Sequence, residues 1–202
     1  MVNGIITSTM NETTLILKQF SEVKEILIQG KQFYSGTLNG IRTTLAMCGV
    51  GKANAAHGTG LLIEKFKPNS VYNIGVGGAY PSSRLNIGDI IIAEKEIYGD
   101  EGLLSKDGLH TINEILDIQN EFIMHIPEKF KDIKNKGTFV TVSTCTGTLE
   151  KGREIEKKFN ALCENMEGAA IAQICSFSDI PVVEIRGISN IIEDRTAKPL
   201  NK

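Results

Sequence analysis

The sequence predicts a single α/β domain over residues 1–202, three layers deep (α/β/α) around a central mixed sheet. Three observations predict it. A chain of 202 residues suits one domain. Short apolar runs rich in Ile and Val alternate with helix-like segments along its whole length. With 41% hydrophobic and 23% charged residues, the composition is that of an ordinary globular protein, which excludes a disordered chain, a coiled coil and a collagen-like repeat. No internal repeat, low-complexity segment or Pro/Gly/Ser-rich linker interrupts it.

Taken in order, Val2 to Ile6 reads as a short buried strand. Asn11 then stands where a helix N-cap would, with Glu12 in the first turn and Leu15, Ile16 and Phe20 behind it. Glu25 to Ile28 reads as another short strand. Lys31 to Leu38 and Ile41 to Cys48 are strands joined by Asn39-Gly40, the strongest short hairpin signal. Gly49-Val50-Gly51-Lys52 leads into a helix from about Ala53 to Phe66, which Pro68 closes. Ser70 to Ile74 is a strand, Gly75 to Gly78 a glycine-rich turn, and Asp89 to Ala93 a continuous apolar strand.

Residues 100–136 are polar, contain Asp107-Gly108 and Pro127, and read as loops with one or two short helices. Gly137 to Ser143 is a strand and Leu149 to Phe159 an amphipathic helix. Met166, Ala170, Ile174 and Phe177 make one apolar stripe and predict a helix over 166–177. Val182 to Ile188 forms the last strand. In such sheets ligands sit at the carboxyl ends of the strands.

Charge and chemistry narrow the function. A formal net charge of -2, from 22 basic and 24 acidic residues, gives no positive field for nucleic acid or an anionic membrane, so neither is an expected partner. Four cysteines without a C-x-x-C pair and three histidines predict neither a disulfide framework nor a metal site. No signal peptide and no apolar run of membrane-spanning length are legible, so a cytoplasmic, reduced protein is expected.

Two glycine motifs tempt and fail. Gly49-Val50-Gly51-Lys52 lacks the earlier glycine and the following hydroxyl of a P-loop. Gly75-Val76-Gly77-Gly78-Ala79 has Tyr80 where a dinucleotide fingerprint needs its third glycine, and Pro81 follows. What remains is either a plain tight turn or a turn whose backbone N–H groups approach a ribose or an anion. No G-x-S-x-G elbow exists, and His57 lies inside a helix, a poor place for a catalytic base.

Three segments together carry a resemblance. They are Ile5 to Glu12; Asn73 to Pro81 with Ile87-Gly88-Asp89-Ile90; and Glu164-Asn165-Met166-Glu167-Gly168-Ala169-Ala170 followed by Glu184-Ile185-Arg186-Gly187-Ile188-Ser189-Asn190. The sequence resembles the purine nucleoside phosphorylase and nucleosidase superfamily from residue 4 to about 195. The runs 141–148, Tyr98-Gly99-Asp100 and Ser189-Asn190 tilt it towards the futalosine hydrolases of menaquinone biosynthesis.

The resemblance implies a nucleoside phosphorylase-like fold and a cofactor-free hydrolysis of the N-ribosidic bond of futalosine, releasing hypoxanthine. Glu12 aligns with the carboxylate that positions and deprotonates water. Glu167 aligns with the acceptor of the ribose 2′ and 3′ hydroxyls, and Met166 would lie against the sugar. Gly77 and Ser189 join them as substrate contacts. Asn190 stands where adenine-directed members carry an aspartate, which favours a 6-oxopurine, although Asp194 lies four residues on as a substitute acid. The early loop Thr7 to Glu12 has no basic residue to hold phosphate, so the reading is hydrolysis.

Alternatives are a methylthioadenosine/S-adenosylhomocysteine or aminofutalosine nucleosidase, or a non-catalytic nucleoside-binding relative. Glu184 and Arg186 fall on one strand face and predict an ion pair, within the subunit or across a dimer. The family habit implies a homodimer or larger homo-oligomer. It also implies a C-terminal helix for which the chain, ending at Lys202, has too few residues.

Overall fold

The computed structural model describes residues 2–196. The expectation about the C-terminal helix falls largely on 197–202, outside the described residues. The chain opens with β1 (Val2–Thr7) and α1 (Met10–Leu17), then β2 (Phe20–Ile28), β3 (Lys31–Leu38) and β4 (Ile41–Met47). The β3–β4 hairpin turns on Asn39 and Gly40 at φ 50° and 77°, the left-handed pair such a turn demands. Helix α2 (Lys52–Phe66) ends at Lys67 in the left-handed conformation, just before Pro68. It leads to β5 (Ser70–Ala79) and β6 (Ile90–Tyr98).

The segment read as loops contains a small hairpin, β7 (Gly102–Ser105) and β8 (Gly108–Thr111), the short helix α3 (Ile112–Leu116), strand β9 (Glu121–Ile123) and a 3₁₀ turn at Glu128–Phe130. The chain closes with β10 (Lys136–Thr141), α4 (Leu149–Phe159), β11 (Ala161–Asn165), α5 (Gly168–Ser176) and β12 (Val182–Ile191).

The large sheet is mixed and runs β11-β10-β6-β12-β5-β1-β4-β3-β2, with β9 against β6. Strand β11 also pairs antiparallel with β5, through Cys163 with Ala79 and Glu164 with Gly78. That second pairing closes five strands into a ring. Helices α2 and α5 cover one face, where Leu62, Ala169, Ala170, Ile171 and Cys175 are buried with Val71, Ile91 and Phe139. Each fully buried Leu, Ile or Phe contributes roughly 1.5–3 kcal/mol. On the opposite face Ile155 and Phe159 of α4 pack against Tyr80, Val140 and Ile192.

Three local expectations are corrected. The cap of α1 is Thr9, not Asn11, because Thr9 and Glu12 close a reciprocal capping box. Residues 75–78 are not a turn: β5 runs through them to Ala79, paired with β12 from Arg186 to Ile191. And α5 starts at Gly168 rather than Met166, with Phe177 exposed. Asn165 takes the N–H groups of Glu167 and Gly168 on its side-chain oxygen, so the chain turns there before the helix begins. Among the described residues no helix is long and apolar enough to cross a membrane.

Candidate active site

A cavity of about 200 Å³ opens where β1, β5, β11 and β12 end, and its wall contains Glu12, Gly77, Met166, Glu167, Ser189 and Asn190. All six residues predicted from the sequence therefore meet in one place.

Glu12 is set by the first turn of α1. Its Oε2 accepts from the backbone N–H of Ser8 (2.9 Å) and Thr9 (2.8 Å), and its Oε1 accepts from Val76 N (3.1 Å). The reach to β5 requires Gly75. A Cβ there would stand 2.7 Å from Glu12 Oε1 and collide with Nη1 of Arg186. The glycine run thus serves close approach within an extended strand.

Glu167 comes from the other side, between β11 and α5, and is 4% exposed. Its Oε1 accepts from Gly51 N (2.9 Å), in the glycine loop that failed as a P-loop, and its Oε2 lies 3.8 Å from Arg186 Nη1. Arg186 is buried on β12. Its Nε donates to Glu184 Oε1 at 2.8 Å; Nη2 is equally near that oxygen but poorly aligned for a hydrogen bond. The expected Glu184–Arg186 pair therefore forms within the chain. Burial alone would lower the arginine's pKa, but Glu184 and Glu167 more than reverse this and hold it charged.

Ser189 and Asn190 end β12. The Ser189 hydroxyl lies 3.2 Å from the Gly77 carbonyl and 3.0 Å from Asn190 Oδ1, so its one proton serves either acceptor. Asp194 is not on the cavity wall. Its Oδ1 accepts from Leu149 N (2.8 Å) at the start of α4, which takes it out of the role of substitute acid. His57 is exposed and pairs with Gln29. Lys52 is tied to Asp100 and Glu101 rather than to a phosphate site.

The wall also holds residues that sequence reasoning did not assign. Glu164 is 5% exposed and accepts from Thr146 N (2.9 Å). Burial pushes its pKa up, against that hydrogen bond. Val50, Val142 and Cys145 supply apolar surface, and among the described residues Arg195 is the one basic side chain on the wall. Val142 and Cys145 lie in the run 141–148, and Glu164 opens the segment 164–170; both stretches carried part of the resemblance without a role for these residues. Among the described residues no group of three or more His, Cys, Asp or Glu is placed to hold a metal ion.

The family model of the Phosphorylase superfamily matches residues 3–202. The chain belongs to that superfamily. A relative in Desulfotalea psychrophila, a 5′-methylthioadenosine/S-adenosylhomocysteine nucleosidase, is 31% identical over 95% of this chain and 85% of its own length. Solved nucleosidases of the same name superpose closely. The Neisseria meningitidis protein in complex with methylthio-immucillin-A has a TM-score of 0.83 at 26% identity, over 94% of this chain and 85% of that one. The Colwellia psychrerythraea protein in complex with adenine has a TM-score of 0.82 at 27% identity, over 96% and 84%. The expected fold and enzyme class, an N-glycosyl hydrolase within this superfamily, agree with these relatives.

Proposed function

We propose that this superfamily member hydrolyses the N-ribosidic bond of a 5′-substituted purine nucleoside. The methylthioadenosine/S-adenosylhomocysteine class is the first reading, because nucleosidases of that name match almost the whole chain. The observation that carries hydrolysis is the placement of Glu12. Its carboxylate occupies the backbone N–H groups of Ser8, Thr9 and Val76, the donors an incoming anion would need. Phosphate would meet like charge there, whereas water meets a base.

Cleavage builds positive charge on the ribose ring as the base departs. Glu12 Oε1 accepts one hydrogen bond from protein and keeps a lone pair for the water's proton. Among the described residues Glu167 Oε2 has only the distant arginine beside it, so it accepts from the 2′ and 3′ hydroxyls and stabilises the cation. Met166 packs on the sugar, and the Asn190 amide hydrogen-bonds the purine at N7 with Ser189 and Gly77 behind it.

A second reading, futalosine with its hypoxanthine base, is favoured by Asn190 and Arg195. An amide cannot protonate N7, but its N–H₂ can donate to N7 or to the neighbouring O6 of a 6-oxopurine. Arg195 gives the wall a positive charge, which suits a substrate with a carboxylate-bearing tail. The experiment is chromatographic base release from methylthioadenosine, S-adenosylhomocysteine and futalosine, in phosphate-free buffer and again with phosphate. Free adenine without phosphate supports the first reading, and hypoxanthine from futalosine the second. Release that requires phosphate overturns hydrolysis, and silence on every nucleoside favours a non-catalytic binding protein.

A further inference from the structure

Behind the cavity, under the first turn of α5, three acids and one base are buried together: Glu96 and Glu184 at 0% exposure, Glu167 and Arg186 beside them. One arginine cannot balance three carboxylates away from water, and unpaired buried charge is costly. Glu184 gives Oε1 to Arg186, while its Oε2 has no hydrogen-bond partner among the described residues. Glu96 lies against that oxygen. A Cβ on Gly168 would stand 2.6 Å from Glu184 Oε2 and would collide with Glu96 Oε1, so the two acids meet over the bare Cα. Acceptor oxygens that crowd one another need a hydrogen between them.

We propose that Glu96 and Glu184 form an acid pair holding one proton between them, and that through it Glu96 is a positioning residue for Glu167. Glu96 accepts from Asn165 Nδ2 and, at 2.8 Å, from Thr141 Oγ1. Asn165 Oδ1 in turn accepts from the backbone N–H of Glu167 (2.9 Å) and Gly168 (2.7 Å), and Thr141 Oγ1 from Ala169 N (2.7 Å). Three consecutive N–H groups at the start of α5 thus hang from Glu96. Glu184 works from the other end, aligning Arg186 towards Glu167 Oε2.

With one shared proton the cluster of four side chains carries a single net negative charge, and Glu167 is the member that faces the cavity. Burial, then the charge of Glu184, drives the Glu96 carboxyl well above the usual range, against the donors Asn165 and Thr141. The other ionisable groups that feel the charge of Glu96 include the Cys163 thiol on β11 and two phenols, Tyr98 on β6 and Tyr80 after β5. Among the described residues Arg186 is the cation that acts on this cluster.

The role of Glu167 rests on the nucleosidase reading; the shared proton and the anchoring of α5 do not, and the test reads them without substrate. In the infrared spectrum of the folded protein at neutral pH, Glu96→Gln removes a protonated-carboxyl band. Amide exchange at Glu167 and Gly168 accelerates about tenfold or more in Glu96→Ala and stays within about threefold in Glu96→Gln. If a nucleoside is turned over, its KM rises about tenfold in Glu96→Ala with a smaller change in kcat, and Glu96→Gln restores it. An unchanged carboxyl band, or a glutamine variant as loosened as the alanine variant, overturns the proposal. Absence of turnover with band and exchange as expected leaves the acid pair standing and removes the nucleosidase reading instead.

Discussion

At the scale of single residues, Glu12 and Glu167 sit in the same cavity but are held in opposite ways. Glu12 is fixed by three backbone N–H groups, so an amide in its place keeps some of those contacts and the cavity's shape. Glu12→Gln is therefore expected to leave nucleoside binding near normal while kcat falls by roughly 10²–10⁴, the usual share of a general base. Glu167 has one oxygen left for substrate, and Glu167→Ala is expected to weaken binding as well as turnover, by roughly two orders of magnitude or more in kcat/KM. Steady-state kinetics separate the two, and equal losses in KM from both variants would remove the division of roles. The placement of both glutamates at one cavity was legible because the resemblance assigns each of them a role within a quoted motif. Glu164 and Asn165 lie in the same motif as Glu167 but carried no assigned role, and Glu96 lies outside every motif, since their partners are far along the chain: Thr146 for Glu164, Thr141 and Glu96 for Asn165.

At the scale of elements, the first turn of α1 joins stability to the site. Thr9 Oγ1 accepts from Glu12 N, and Glu12 Oε2 accepts from Thr9 N, so one capping box both starts the helix and aims the carboxylate. Thr9→Ala is expected to cost about 1 kcal/mol in urea unfolding. It should also lower kcat more than it raises KM, because Glu12 loses one of its anchors. Lost stability with unchanged kcat would show that the backbone N–H groups alone orient Glu12. The T-x-x-E signature at 9–12 was present in the sequence, yet Asn11 competes for the same role and hides it. Strand β11 is harder to see. Ala161-Leu162-Cys163-Glu164-Asn165 has no strand-like alternation, and it is buried because β10 and β5 pair with both of its edges. The glycines of β5 looked like a turn for the converse reason: glycine is silent about conformation, and only the approach of Glu12 and Arg186 explains Gly75.

At the scale of the whole molecule, the closed ring of strands gathers acids into its interior and leaves others paired near the surface, and these two sets pull on stability in opposite pH directions. Asp100, just beyond β6, belongs to the second set. Burial pushes its pKa up, but hydrogen bonds from Lys52 and from Ser143 N outweigh that and hold the carboxyl below its usual range. A folded pKa below the unfolded one gives stability that is present above the unfolded value of 3.8 and lost as pH falls through the folded value. Glu96 belongs to the first set, with a folded pKa above the unfolded 4.5. Its contribution is complete below 4.5 and declines as pH rises towards the folded value. Thermal unfolding of the wild type, Asp100→Asn and Glu96→Gln across acid to alkaline pH separates the arms. Asp100→Asn should be less stable than wild type at neutral pH, with the gap closing below pH 3.8. Glu96→Gln should lose the decline that sets in above pH 4.5 while keeping the loss of stability at acid pH. Parallel profiles for all three proteins would mean that neither carboxyl changes its proton affinity on folding, and the charge balance assigned to the buried cluster would fall with that result.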